Sequence, residues 1–309
     1  MTALLLRRLL GAIPTLAAII AIAFLMTRLA PGGPFDEEQA LPAEIRANLE
    51  AAYGLDRPLP VQFGRYLAGL ARGDFGPSFK FRDFTVTELI RGGLPVSLVL
   101  GGSALLVALL VGLPAGAWAA LRRDRWPDRA IMAVAAAGIA VPVFVIAPLL
   151  VLGFGIRLGW LPVAGWESGR YRDLILPVVA LALPVAAQLS RLCRGSLLEV
   201  LRAPWIRAAR ARGLPERRIV LAHALPAALV PVVSYLGPAI AALLSGSLVV
   251  ETLFGLPGMG RYLVEGALNR DYTLVMGMVI VYAALMITLN LAADLACTWL
   301  DPRIRRGAR

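Results

Sequence analysis

The chain is poor in the residues from which most soluble active sites are made. Of its 309 residues one is a lysine, Lys80, one is a histidine, His223, and two are cysteines, Cys193 and Cys297. A Walker-type phosphate loop ends in Gly-Lys-Ser/Thr, and Lys80 stands between two phenylalanines, so ATP cannot be held by that route. A single histidine excludes a His-Glu-x-x-His zinc site and leaves no Ser/His/Asp or Cys/His cluster for nucleophilic catalysis. The two cysteines lie at the ends of apolar stretches and offer neither a disulfide framework nor a metal-ligand spacing. No catalytic residue and no metal site is therefore assigned, and the chain is not read as an enzyme.

What is abundant is apolar. Hydrophobic residues make up 59% of the chain and its mean hydropathy is +0.73, which places it in the membrane class. Many of the 22 prolines and 30 glycines fall inside apolar runs, which lipid-embedded helices tolerate when neighbours satisfy the freed backbone groups. The formal charge of +11 could point to nucleic acid, but the arginines cluster beside apolar spans, so the charge is read as membrane orientation and no nucleic-acid partner is expected.

Six segments are long enough to cross a hydrocarbon core of about 30 Å: 9–30, 95–121, 130–153, 174–196, 228–249 and 274–299. The first is preceded by Arg7 and Arg8, but it is too long for a signal-peptide core and no A-x-A site closes it, so it reads as a retained span. With both termini in the cytosol, eighteen arginines fall on cytosolic stretches, eight of them between Arg191 and Arg218, against five on the two short outer connections. The organisation expected is a cytosolic end and first span in 1–30, an extracytoplasmic helical insertion in 31–94, a core of five spans in 95–299 and a cytosolic tail in 300–309. The core includes a cytosolic loop at 197–226 and an outer loop at 250–273. In the insertion, Ile45, Leu49 and Ala52, then Phe63, Leu67 and Leu70, recur at helical spacing between the turn signals Pro31-Gly32-Gly33-Pro34 and Gly73-Asp74-Phe75-Gly76. In the outer loop a short helix is expected through Leu263 and Ala267.

The cytosolic loop carries the most telling run: Pro204, Trp205, Ile206, Arg207, Ala208, Ala209, Arg210, Ala211, Arg212, Gly213 and Leu214, with Leu225-Pro226 opening the next apolar stretch. The alanines favour helix, Pro204 suits its first turn, and Gly213 suits the left-handed residue that ends it. Arg207, Arg210, Arg212, Arg217 and Arg218 are expected to face lipid phosphate or an acidic partner. By physics alone the run is either a docking element for another protein or an amphipathic helix lying on headgroups.

Ala208-Ala209, then Gly213, then His223-x-Leu225-Pro226 resembles the Ala-Ala-x3-Gly-x9-Ile-x-Leu-Pro signature of the inner-membrane subunits of ABC importers. Arg207 replaces the common glutamate and His223 the common isoleucine. The opening Arg7-Arg8-Leu9-Leu10 with Ile13-Pro14-Thr15, Gly73-Asp74-Phe75-Gly76 with Ser78, Ser196–Leu201, Arg270-Asp271-Tyr272 and Asp301-Pro302-Arg303 are similar to the dipeptide/oligopeptide/nickel-type permeases. The resemblance implies an all-α, type I importer-like permease in the bacterial inner membrane. Its partners would be a second, similar permease subunit, two ATP-binding subunits and an extracytoplasmic solute-binding protein. This chain would bind no cofactor; ATP and Mg would sit on the partner subunits. The 204–214 helix would insert into a groove of an ATPase, with Ala209 and Gly213 at the contact. Independently of the resemblance, the lone His223 reads as a hydrogen-bond donor in the loop and not as a ligand. The solute expected is a di- or oligopeptide, with nickel complexes, glutathione or oligosaccharides as alternatives carried by similar permeases.

Asn290 and Asp294 stand four apart in the last span and share a face, which suits a packing or gating hydrogen bond. Gly112 and Gly116 give a small-xxx-small spacing for close helix contact, and Pro142, Pro148 and Pro184 are expected to bend their spans. An ion-coupled secondary transporter is the rival reading. It would need acidic or cationic pairs at midplane depth and internal repeats, and the sequence displays neither.

Overall fold

The computed structural model describes residues 2–29, 56–81, 83–167 and 170–300. The spacing at Ile45, Leu49 and Ala52, the turn at 31–34 and the tail from 301 lie outside the described residues. The chain divides into two compact units, one of Thr2–Ser97 with Pro257–Leu285 and one of Leu98–Leu256 with Met286–Arg309.

In the first unit, α1 (Thr2–Leu29) is the apolar N-terminal helix and α2 (Leu59–Leu70) the helix expected from Phe63, Leu67 and Leu70. The Phe24 and Phe63 rings meet at 5.1 Å between centroids and hold the two together. The long helix α3 (Val86–Leu121) opens here, nine residues before the span expected at 95. Its start is set by a reciprocal capping box: the Thr85 hydroxyl accepts the Glu88 N–H at 3.2 Å and the Glu88 carboxylate accepts the Thr85 N–H at 2.8 Å. At 1.5 Å per residue α3 is about 54 Å long, so it outruns the hydrocarbon core. The opening turns Val86, Leu89 and Ile90 pack with Met259 of α10 (Met259–Leu268) and with Leu274 and Met278 of α11 (Tyr272–Leu300). The helix expected through Leu263 and Ala267 is α10.

In the second unit the span expected at 130–153, with a bend at Pro142, is two helices, α4 (Trp126–Ala140) and α5 (Val143–Arg157), which meet at a 107° bend. Pro142 explains it: the residue before a proline is pushed from the helical region, and Val141 sits at φ −88, ψ 119. Pro184 lies inside α6 (Ile175–Leu201) without ending it. Close contact of α3 with α6 falls at the expected glycines. A Cβ on Gly112 would stand 2.6 Å from the Ala186 carbonyl oxygen, and one on Gly116 would collide with that of Ser190. After α7 (Pro204–Ala211) come α8 (Glu216–Ser234) and α9 (Leu236–Leu253). They divide the span expected at 228–249. Pro238 has no N–H to offer the Ser234 carbonyl and its ring crowds that oxygen. Tyr235 nevertheless keeps helical torsions, φ −80 and ψ −11, and the Ala239 N–H still reaches the Tyr235 carbonyl at 2.9 Å. The backbone therefore keeps helical torsions through the break instead of passing through a loop.

Among the described residues six helices are long and apolar enough to span a membrane: those beginning at Leu10, Val86, Tyr171, Glu216, Leu236 and Tyr272; the bent α4–α5 pair would make a seventh if it crosses. The fold is all-α and multi-pass as expected, with a different membership of the six.

Candidate functional site

The run 204–214 folds as its residues dictate. Ala203 is extended at φ −61, ψ 146, and Pro204 opens α7 with its φ already suited to helix. Ile206 is fully buried and joins Leu197, Ile219, Ala224, Ala228 and Ala120 in one apolar cluster. Gly213 has φ +75. Its N–H donates to the Arg210 carbonyl at 2.9 Å and the Leu214 N–H to that of Ala209 at 3.4 Å. This pair of bonds is a Schellman motif, and Leu214 and Ala209 supply its apolar contact by packing on the Ile206 cluster. Arg210 turns back instead of outward. Its guanidinium holds both Glu216 carboxylate oxygens, at 2.6 and 3.4 Å, and this bond raises the Arg210 pKa above its ordinary value.

The consequence is a two-faced helix. Ile206, Ala209 and Leu214 anchor it inward, while Trp205, Arg207, Ala208, Ala211 and Arg212 are exposed. Of the two neighbouring alanines, Ala209 packs within the chain and Ala208 is the exposed one. A Cβ on Gly213 would meet nothing of this chain within 4 Å, and its positive φ is the feature that calls for glycine here. His223 lies exposed in a helix, not a loop: Ile219–Ala224 is a π-helical turn leading into Pro226. A wider turn there moves the Ala222 carbonyl from the Pro226 ring.

The profile of the "Binding-protein-dependent transport system inner membrane component" family matches residues 112–306, and that of its N-terminal membrane component matches 1–99. The chain belongs to this family of ABC importer permeases. It is 51% identical over 301 residues to the oligopeptide transport system permease protein OppB of Salmonella typhimurium, covering 97% of this chain and 98% of that one. It is 41% identical to the dipeptide transport system permease protein DppB of Bacillus subtilis, covering 94% of each. It is 39% identical to the glutathione transport system permease protein GsiC of Salmonella paratyphi A, covering 97% of this chain and 98% of that one. Among solved structures, the inward-facing MetNI methionine ABC transporter has a chain with TM-score 0.58 and 18% identity, covering 69% of this chain and 96% of its own. That likeness bears on the fold alone.

The remaining polar groups of this permease sort by how they are held. Asn290 and Asp294 are both half-buried on α11; a Cβ on Gly237 would stand 2.7 Å from the Asn290 Oδ1, so the carboxamide packs against the α9 backbone just past the break at Tyr235. Two constellations escaped the sequence reading. Buried Asp128 and half-buried Arg194 form a bidentate ion pair between α4 and α6. Asp271, fully buried, caps α11 through the Leu274 N–H and gathers the Ser78 hydroxyl and the Phe79 and Lys80 N–H groups on its other oxygen. Both motifs of that clasp were visible as pieces, but nothing local says that residues 193 apart meet. Among the described residues no three His, Cys, Asp or Glu side chains could share a metal ion.

Proposed function

We propose that this permease is one half of the membrane pathway of an ATP-driven peptide importer, and that α7 is its contact with an ATPase subunit. The observation that carries the docking assignment is the exposed face of Trp205, Arg207, Ala208, Ala211 and Arg212 on a helix fastened from behind by Ile206. A helix whose outward face mixes a small residue, an aromatic and arginines fits a groove with acidic rims. ATP and Mg then sit on two partner ATPases, whose closure would drive α7 and the helices joined to it between inward- and outward-facing arrangements. A second, similar permease would complete the pathway and a solute-binding protein would deliver the solute from outside.

Peptides are the solute supported by the OppB and DppB likenesses, and glutathione, itself a tripeptide, by the GsiC likeness. For topology, we count the bent α4–α5 pair as one crossing and α8–α9, whose backbone stays helical through Tyr235, as another. The total is then six, which returns both termini to the cytosolic side where the arginines cluster. The importer reconstituted in proteoliposomes should accumulate labelled tri- to pentapeptides on addition of ATP at the ATPase side, with excess glutathione competing weakly. Accumulation of glutathione and no longer peptide would replace the peptide reading; no ATP-dependent uptake of either would end it.

A further inference from the structure

We propose that Asp128 and Arg194 are positioning residues for transport: their ion pair makes the ends of α4 and α6 nearest α7 move as one body when α7 is driven. The proposal rests on the reading of α7 as the ATPase contact. Arg194 Nε and Nη2 donate to Asp128 Oδ1 and Oδ2 at 2.5 and 2.7 Å, and the Asp128 side chain is only 3% exposed. Asp128 lies in the first turn of α4, and its Oδ2 also accepts the Asp124 N–H at 2.9 Å. Asp124, at φ +62, makes the left-handed turn between α3 and α4. One carboxylate therefore gathers the end of α3, the start of α4 and the last turns of α6. Only Arg202 and Ala203 separate α6 from α7.

The rest of the α4–α6 contact includes small apolar residues: a Cβ on Gly138 would stand 3.2 Å from that of Ala187. Between apolar helices in lipid no hydrophobic term opposes sliding or rotation, because lipid tails are as apolar as the partner. A planar guanidinium on a carboxylate does oppose it, since both bonds are kept at one rotation and one register only. Buried pairs add little net stability, and their best-attested use is to fix such a geometry. A push on α7 reaches α6 through the backbone; the Asp128–Arg194 pair passes it on to α4 and the end of α3.

The test uses the whole importer in proteoliposomes, reading solute uptake, ATP hydrolysed per solute, ATPase co-purification and thermal melting. Asp128→Asn and Arg194→Gln should each lower uptake about tenfold while ATP hydrolysis continues, so that ATP spent per solute rises by a similar factor. Arg194→Lys, which keeps the charge but not the two-pronged geometry, should fall between. The swap Asp128→Arg with Arg194→Asp should recover most of the uptake. ATPase co-purification should stay at its wild-type level in Asp128→Asn, while melting should fall, because Arg194 loses its carboxylate, and should recover in the swap. Wild-type uptake and stoichiometry in Asp128→Asn would overturn the proposal. So would wild-type behaviour of Arg194→Lys, or loss of the ATPases from the Asp128→Asn complex, because the pair would then serve only the shape of the loop. A wild-type complex that holds no ATPase defeats the importer reading and the clamp with it, whereas wild-type uptake by Asp128→Asn defeats the clamp alone.

Discussion

The segment around α7 and the clasp around Asp271 are built in opposite ways. In the first, every bond that shapes the helix comes from within a few residues: Pro204 opens it, Gly213 closes it, and Arg210 pairs with Glu216 six positions on. In the second, Asp271 collects the Ser78 hydroxyl and the Phe79 and Lys80 amides from a stretch more than 190 residues earlier. The first leaves one face bare; the second is fully buried. A locally built element with an exposed face can lose its partner without losing its shape. A buried carboxylate shared by distant segments has no such freedom, because removing it strands donors that water cannot reach.

The difference predicts a graded series. Asp271→Ala removes the acceptor of three backbone N–H groups and a hydroxyl, and should destabilise the purified subunit by on the order of 3 kcal/mol or more, read as a large loss of melting temperature in detergent. Asp271→Asn should fall between, since its amide keeps one acceptor oxygen but turns donors toward the other set of donors; a wild-type melting temperature in Asp271→Asn would remove the clasp from the account. Next, Ile206→Ala empties a fully buried position behind α7 and should cost about 2–5 kcal/mol, with ATPase binding lost as the helix loosens. Gly213→Ala keeps open space around its Cβ but must hold φ +75, so about 1–2 kcal/mol is expected from strain alone, read as a small melting shift with uptake largely retained.

The same contrast explains what the sequence made legible. The α7 helix, its proline start and its left-handed Gly213 were readable because propensity and capping act over a few residues. The glycine contact of α3 was readable because Gly112 and Gly116 share a face by spacing alone. The start of α3 was also written locally, in Thr85-x-x-Glu88, but hydropathy drew attention to the apolar run that begins later. At Pro142 a bend was readable but not a break into two helices, and the span at 228–249 ran unbroken through Pro238; at both prolines the missing N–H and bulky ring decide the backbone more firmly than hydropathy does. Which side of α7 faces inward was not readable, since Ala208 and Ala209 are identical in chemistry and only the position of Ile206 and Leu214 against the cluster separates them. The Asp128–Arg194 and Asp271 contacts needed the fold, because a charged side chain in a sequence does not name its distant partner.

Of those two neighbouring alanines, Ala208 gives the smallest expected effect on stability, and the pair gives the most direct test of the central claim, that the exposed face of α7 is the ATPase contact. Purified with its partners, the Ala208→Asp subunit should melt like wild type, within about 0.5 kcal/mol, because the new charge stays in water until a partner desolvates it. The same preparation should lose co-purification of the ATPases and with it uptake. Ala209→Asp, which drives a charge against the Ile206 cluster, should lower melting and ATPase binding together. Wild-type ATPase binding and uptake in a correctly folded Ala208→Asp subunit would contradict the account.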